Sequence, residues 1–133
     1  MEAADTITKT YNQIKLALTH KLTSQGYLPV HEEHHDAVFN SRYIIWSNNR
    51  EALRLTWDGK ENWFILEITE DLPIRTLTHW DEIVLTPFNA QKCSETDINA
   101  VTVSFLDIPL HSIPVIPTQK GPVIPLQMGP VNR

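Results

Sequence analysis

The most chemically suggestive stretch of the chain is His31-Glu32-Glu33-His34-His35, which satisfies the pattern H-E-x-x-H. On a helix, His31 and His35 would stand one turn apart and ligate zinc, while Glu32 activated the bound water. That chemistry would make the protein a metal-dependent hydrolase. The local context opposes it, because Gly26 and Pro29 lie just upstream and leave no room for a preceding helical turn. A third ligand would have to come from Glu51, Glu67, Glu70, His79 or His111, and the spacing selects none of them. The simpler expectation for residues 27–36 is a solvated polar loop or short helical turn. His31, His34 and His35 would then hold metal only adventitiously.

Other reactive side chains are weaker candidates. Cys93, the only cysteine, could serve as a nucleophile beside a histidine, but no local motif supports it. It cannot form an internal disulfide, which fits a reducing compartment. Glu67, Glu70 and Asp71 cluster at a strand end. Such carboxylates do acid–base work only where burial separates their pKa values, and a solvated strand terminus is expected instead. The four glycines, Gly26, Gly59, Gly121 and Gly129, permit neither G-x-G-x-x-G nor G-x-x-x-x-G-K-[ST], which removes the standard dinucleotide and P-loop sites.

The aromatic and cationic residues raise a different chemistry. Trp46, Trp57, Trp63 and Trp80 are a large aromatic share for 133 residues, and Arg42, Arg50 and Arg54 lie near Tyr43 and Trp46. Basic and aromatic side chains interleaved on a sheet can stack nucleic-acid bases. The charge balance argues against it: 11 Lys+Arg oppose 16 Asp+Glu, for a net charge of −5, whereas phosphate binding needs clustered cations. The tryptophans are therefore expected mainly as packing. Arg54 is expected to stack on Trp63 or pair with Glu67.

The elements that must position these residues can be read from periodicity. Ile7, Tyr11, Ile14, Leu18 and Leu22 recur at helical spacing, so 4–25 reads as an amphipathic helix, capped by Asp5 or Thr6 and ended by Gly26. A β meander follows, with strands at 37–46, 51–57, 62–69 and 82–88. Asp58-Gly59 is the strongest hairpin signal. Whichever loop length closes it, Leu53 and Leu55 share a face with Phe64, Leu66 and Ile68, while Arg54, Thr56, Trp63, Ile65 and Glu67 share the other. Trp63 and Ile65 are too apolar for a wet face, so a helix, the C-terminal tail or a partner chain is expected to cover them. Ser94-x-x-Asp97 resembles a capping box opening a last helix that contains Ile98, Val101 and Phe105.

From 109 the composition turns Pro-rich. Residues 114–121, PVIPTQKG, are followed by 122–129, PVIPLQMG, an eight-residue repeat. Proline fixes φ and removes a donor, so an extended polyproline-like path is expected. Its P-x-x-P steps suit an aromatic groove; the competing account is a duplicated segment with no dedicated role.

Together these readings predict an α+β fold, with an N-terminal helix packed on an antiparallel meander of about four strands, then a short helix and an extended tail. One domain is expected over 1–108, with the tail at 109–133. Apolar content of 41% suits a globular chain, no apolar run is long enough to span a membrane, and Met1–Lys9 shows no leader pattern, so a soluble cytoplasmic protein is expected. The favoured function is a small binding protein without catalysis or cofactor. It would act on a protein partner, as an inhibitor or immunity-type protein does, or on itself as a homodimer. Its partner-binding residues would be Arg54, Trp63 and Ile65, with neither nucleic acid nor membrane as partner. The alternative is the zinc hydrolase on His31 and His35.

Overall fold

The computed structural model describes residues 3–107. Its element order is α1 (Ala3–Thr23), β1 (Leu28–His35), β2 (Ser41–Ser47), β3 (Ala52–Asp58), β4 (Trp63–Thr69), β5 (Asp81–Pro87) and α2 (Glu95–Leu106), with a 3-10 turn at Ala90–Lys92. The five strands form one antiparallel sheet in sequence order. The α+β class holds. Among the described residues no helix is long and apolar enough to cross a membrane. The tail at 109–133 lies outside the described residues.

Both helices cover one face of the sheet. Tyr11, Ile14, Leu18 and Leu22 of α1 are buried, as the spacing predicts, together with Thr6 and Thr10. The helix already begins at Ala3, so Asp5 and Thr6 lie inside its first turn rather than before it. Gly26, at φ +92°, ends the segment in the left-handed conformation that costs glycine least. Ile98 and Phe105 of α2 are buried beside α1. The capping box at Ser94 and Asp97 is complete, with each side chain satisfying the other's backbone N–H. The β-branched run Val101-Thr102-Val103 is helical despite its strand propensity, under this cap and with Ile98, Thr102 and Phe105 buried. Gln13 Nε2 donates to Asn99 Oδ1 at 2.8 Å and to Thr102 Oγ1 at 3.0 Å, tying the two helices side by side.

The core lies between this helical layer and the inner sheet face, where Ile44, Trp46, Leu53, Leu55, Trp57, Phe64 and Leu66 are buried. The Trp57, Phe64, Phe88 and Phe105 rings meet in tilted or edge-to-face contacts at 4.7–6.5 Å. Leu53↔Ile68, Leu55↔Leu66 and Trp57↔Phe64 pair across the β3–β4 hairpin, which is the face assignment read from the sequence.

Three local readings need correction or refinement. Residues 28–35 are a strand, not a loop or helical turn, so the sheet has five strands rather than about four. Pro29 and the charged run looked like breakers, yet an edge strand tolerates a proline and uses charge to discourage further pairing. Conversely, Val38-Phe39-Asn40, read as strand, is the β1–β2 turn, with Phe39 at φ +55° and Asn40 at φ +57°. The Asp58-Gly59 hairpin also works differently from the expected pattern. The residue with positive φ is Asn62, while Asp58 Oδ1 accepts from the backbone N–H of Lys60 and Glu61. Gly59 is required by a close approach: a Cβ there would lie 1.7 Å from the Phe39 carbonyl oxygen.

Candidate functional site

Strand alternation decides the fate of the H-E-x-x-H motif. On β1, His31, Glu33 and His35 point to the face away from the helices, and Glu32 points toward them. Glu32 accepts hydrogen bonds from Tyr11 Oη at 3.1 Å and Lys15 Nζ at 3.0 Å, both on α1. The general base that the hydrolase reading requires is thus separated from the two histidines by the thickness of the sheet. Glu33 takes the central place instead: His31 Nε2 lies 2.6 Å from its Oε2, and His35 Nε2 lies 2.8 Å from its Oε1. The Tyr43 ring lies against both imidazoles, at 5.8 and 6.2 Å. The hydrogen bonds from His31 and Tyr43 hold the Glu33 carboxyl below the usual range. Among the described residues, no three His, Cys, Asp or Glu side chains are grouped to hold a metal ion. His34 is on the helix-side face and pairs with Asp36 at 3.1 Å.

The outer face is built from rows that cross the strands. One row runs Glu33, Tyr43, Thr56, Ile65, Leu85, and its neighbour runs His31, Ile45, Arg54, Glu67, Glu82. Arg54 therefore stands at the centre of the sheet. Its Nε and Nη2 both donate to Glu67 Oε1, at 3.0 and 2.9 Å. Its guanidinium carbon lies 4.3 Å from the Trp80 ring centroid and 5.8 Å from that of Tyr43. Of the two expectations for Arg54, the Glu67 pair is present. The stacking partner is Trp80, delivered by the 70–80 connection, rather than Trp63 on the neighbouring strand.

That connection also answers part of the question of what covers the outer face. It leaves β4, passes the cis Leu72–Pro73 bond and returns over β2 and β3. A turn closed by Thr78 holds it: Thr78 Oγ1 accepts from Arg75 N–H at 2.7 Å, and Thr78 N–H donates to the Arg75 carbonyl. Ile45 is only 4% exposed although it faces away from the helices. It forms part of a groove of about 750 Å³ bounded by Val30, His31 and Tyr43 on the sheet side and by Ile74, Arg75, Thr76, Thr78 and Trp80 on the loop side, with Arg54 between. Trp63 and Ile65 stay half-buried on β4, beyond the groove.

The other sequence candidates scatter. Arg42 and Trp46 face the helices: Arg42 Nη1 donates to Thr8 Oγ1 at 3.0 Å, and Trp46 Nε1 donates to Thr19 Oγ1 at 3.0 Å. The apparent stacking surface of Arg42, Tyr43, Trp46 and Arg54 is therefore split between two faces. Cys93 Sγ lies 3.6 Å from the Ala90 carbonyl as a local contact. Asp71 is held by Arg75 at 2.7 Å, and Glu51 is buried under the Tyr27 hydroxyl at 2.5 Å. Sequence reasoning missed Trp80 and Arg75 as site residues. Period-two alternation places only residues within strands, and these two arrive from a connection whose path over the sheet has no periodic signal. Comparison with protein-family models, curated proteins and solved structures finds no match.

Proposed function

We propose that the chain is a binding protein that engages a protein partner through the outer face of its sheet, with no catalysis of its own. The observation that carries this reading is the one-sided architecture. The helices occupy the inner face, and both edges are blunted: β1 by Pro29, a bulge and its charged run, β5 by Pro87, a bulge and its acidic start. Edge-strand recognition is thereby disfavoured, which leaves the outer face. There, Tyr43 and Trp80 are half-buried against Arg54, with Ile65 and Trp63 half-buried further along β4, the mixture of aromatic side chains and arginine enriched where proteins meet.

The test is a photo-crosslinking amino acid placed at Thr56, in the middle of that face, and at Val103 on α2 as control. The expected result in the chain's native cells is a discrete protein adduct from position 56 and none from 103. Adducts from both positions alike, or none from 56, would overturn the proposal.

A further inference from the structure

We propose that the outer-face groove receives the Pro-rich segment 114–125 of the same chain, which lies outside the described residues. This goes beyond the binding-face reading: it names an occupant from the same chain for the groove on that face, and it stands or falls separately from the protein partner. The groove's chemistry sets the terms. Among the described residues no carboxylate lines it, yet both arginines beside it are already matched, Arg54 by Glu67 and Arg75 by Asp71, and His31 Nε2 is engaged by Glu33. An ionic ligand gains little from a site whose charges are already compensated. An uncharged ligand rich in hydrogen-bond acceptors gains more. Arg54 uses Nε and Nη2 in its hydrogen bonds, and Arg75 uses only Nη2 of its side chain. Their remaining N–H groups, with the Thr76 hydroxyl, offer donors at the groove wall.

A proline-rich strand has the complementary inventory. Its prolines lack N–H groups, and its carbonyls have no internal partner in the polyproline conformation. Its rings pack on aromatic faces, and its shape is set before binding, so little conformational entropy is lost. Tyr43 and Trp80 supply the aromatic faces, while Val30, Ile45 and Ile74 supply apolar contact for the branched residues between prolines. Pro-Val-Ile-Pro occurs twice, at 114–117 and 122–125, and neither copy contains a charged residue. Four such residues extend about 12 Å, a length suited to a groove of about 750 Å³.

Reach does not limit the arrangement. Helix α2 ends on the helical side, where Lys21 Nζ donates to the Leu106 carbonyl. A five-stranded sheet is about 19 Å across between its outer strands, with the helical layer about 10 Å away. The residues from 108 to 121 span roughly 43 Å when extended as polyproline. Tethering also gives the segment an effective concentration on the order of millimolar, so a weak site is occupied. Residues 108–113, ahead of the first copy, extend only about 19 Å, so the second copy at 122–125 has the clearer reach while the first competes with it. The test must therefore disable both.

The experiment uses the full chain labelled with 5-fluorotryptophan and observed by fluorine NMR, where the four tryptophans report separately. Trp80→Phe assigns the groove signal. The perturbed chain combines Pro114→Ala, Pro117→Ala, Pro122→Ala and Pro125→Ala. The expected result is a displaced Trp80 signal with Trp46 and Trp57 unmoved. A synthetic peptide of residues 113–126 added to that variant should return the signal toward its original position. An unmoved Trp80 signal would overturn the proposal. Sedimentation equilibrium must give a monomer; a dimer that reverts to monomer in the fourfold variant would assign the arm to a second copy and overturn docking within one chain. If Trp80 ignores the arm while the Thr56 crosslinker still finds its partner, the arm fails and the binding face survives. If Trp80 responds and the crosslinker finds nothing, the reverse holds.

Discussion

Trp46 and Trp57 are both deeply buried on the inner sheet face, at 0% and 1% exposure, but they differ in one hydrogen bond. Trp46 Nε1 donates to Thr19 Oγ1 at 3.0 Å. Trp57 Nε1 is buried with no hydrogen-bond partner among the described residues. Replacing either with phenylalanine removes the same atoms, so the cavity cost, of order 1–3 kcal/mol, is similar for both. At Trp46 the change also discards a hydrogen bond worth about 1 kcal/mol. At Trp57 it removes a donor whose unsatisfied burial costs about 1–3 kcal/mol, which offsets the cavity. Trp46→Phe should therefore destabilise the fold by about 2–4 kcal/mol more than Trp57→Phe, and the latter should be close to neutral. Urea unfolding followed by far-ultraviolet circular dichroism measures both, provided that the m-values agree. A difference under about 1 kcal/mol would refute the reasoning, because it would require an acceptor at Trp57 Nε1.

Two further outcomes follow from single sites. Glu51 is buried at 2% exposure, and desolvation raises its carboxyl above the ordinary range. A raised pKa in the folded state means that the unfolded chain loses this proton first, so stability falls as pH rises from the unfolded value through the folded one. Glu51→Gln, which can still accept from Tyr27, should be more stable than the parent at pH 7, with the gap closing as pH falls through the carboxylate range; a Gln variant less stable at pH 7 would reverse that sign. Gly59→Ala should cost about 1–3 kcal/mol, because its Cβ collides with the Phe39 carbonyl oxygen; a thermal melt matching the parent would show that the β1–β2 turn yields freely.

What was legible in the sequence was what repeats. The buried stripe of α1 and the facing of β3 against β4 follow from side-chain periods that the backbone enforces, and they appear where the spacing puts them. The Ser94–Asp97 cap was legible because it is a local bargain between two side chains and two backbone groups. What escaped was position within the sheet. Pro29 and His31–His35 mean loop if considered alone, and mean strand once β2 is there to pair with. An edge strand need not bury either face, so its burial pattern is nearly uniform and shows no alternation. Arg54 was found through the face that it shares with Trp63 and Ile65. Its true stacking partner, Trp80, could be found only by knowing where the 70–80 connection lands.

The two faces of this sheet are stabilised by different physics, and that difference bears on function. The inner face is dry: tryptophan, phenylalanine and leucine side chains fill the space beneath the helices, where losing even a methylene is felt throughout close-packed surroundings. The outer face relies on ion pairs such as Arg54–Glu67, with side chains 27% and 15% exposed, and on rings laid over cations, interactions that fix the direction of the groups they join. Those same interactions hold side chains in place before any partner arrives. A binding surface needs that, because orientation fixed before contact lowers the entropy lost on association. It also explains how a row such as His31, Ile45, Arg54 and Glu67 can place imidazole, alkyl, guanidinium and carboxylate side by side without endangering the fold. The aromatic core cluster lies on the opposite face, so substitutions in the exposed part of the outer row are expected to alter the proposed binding surface more than the fold.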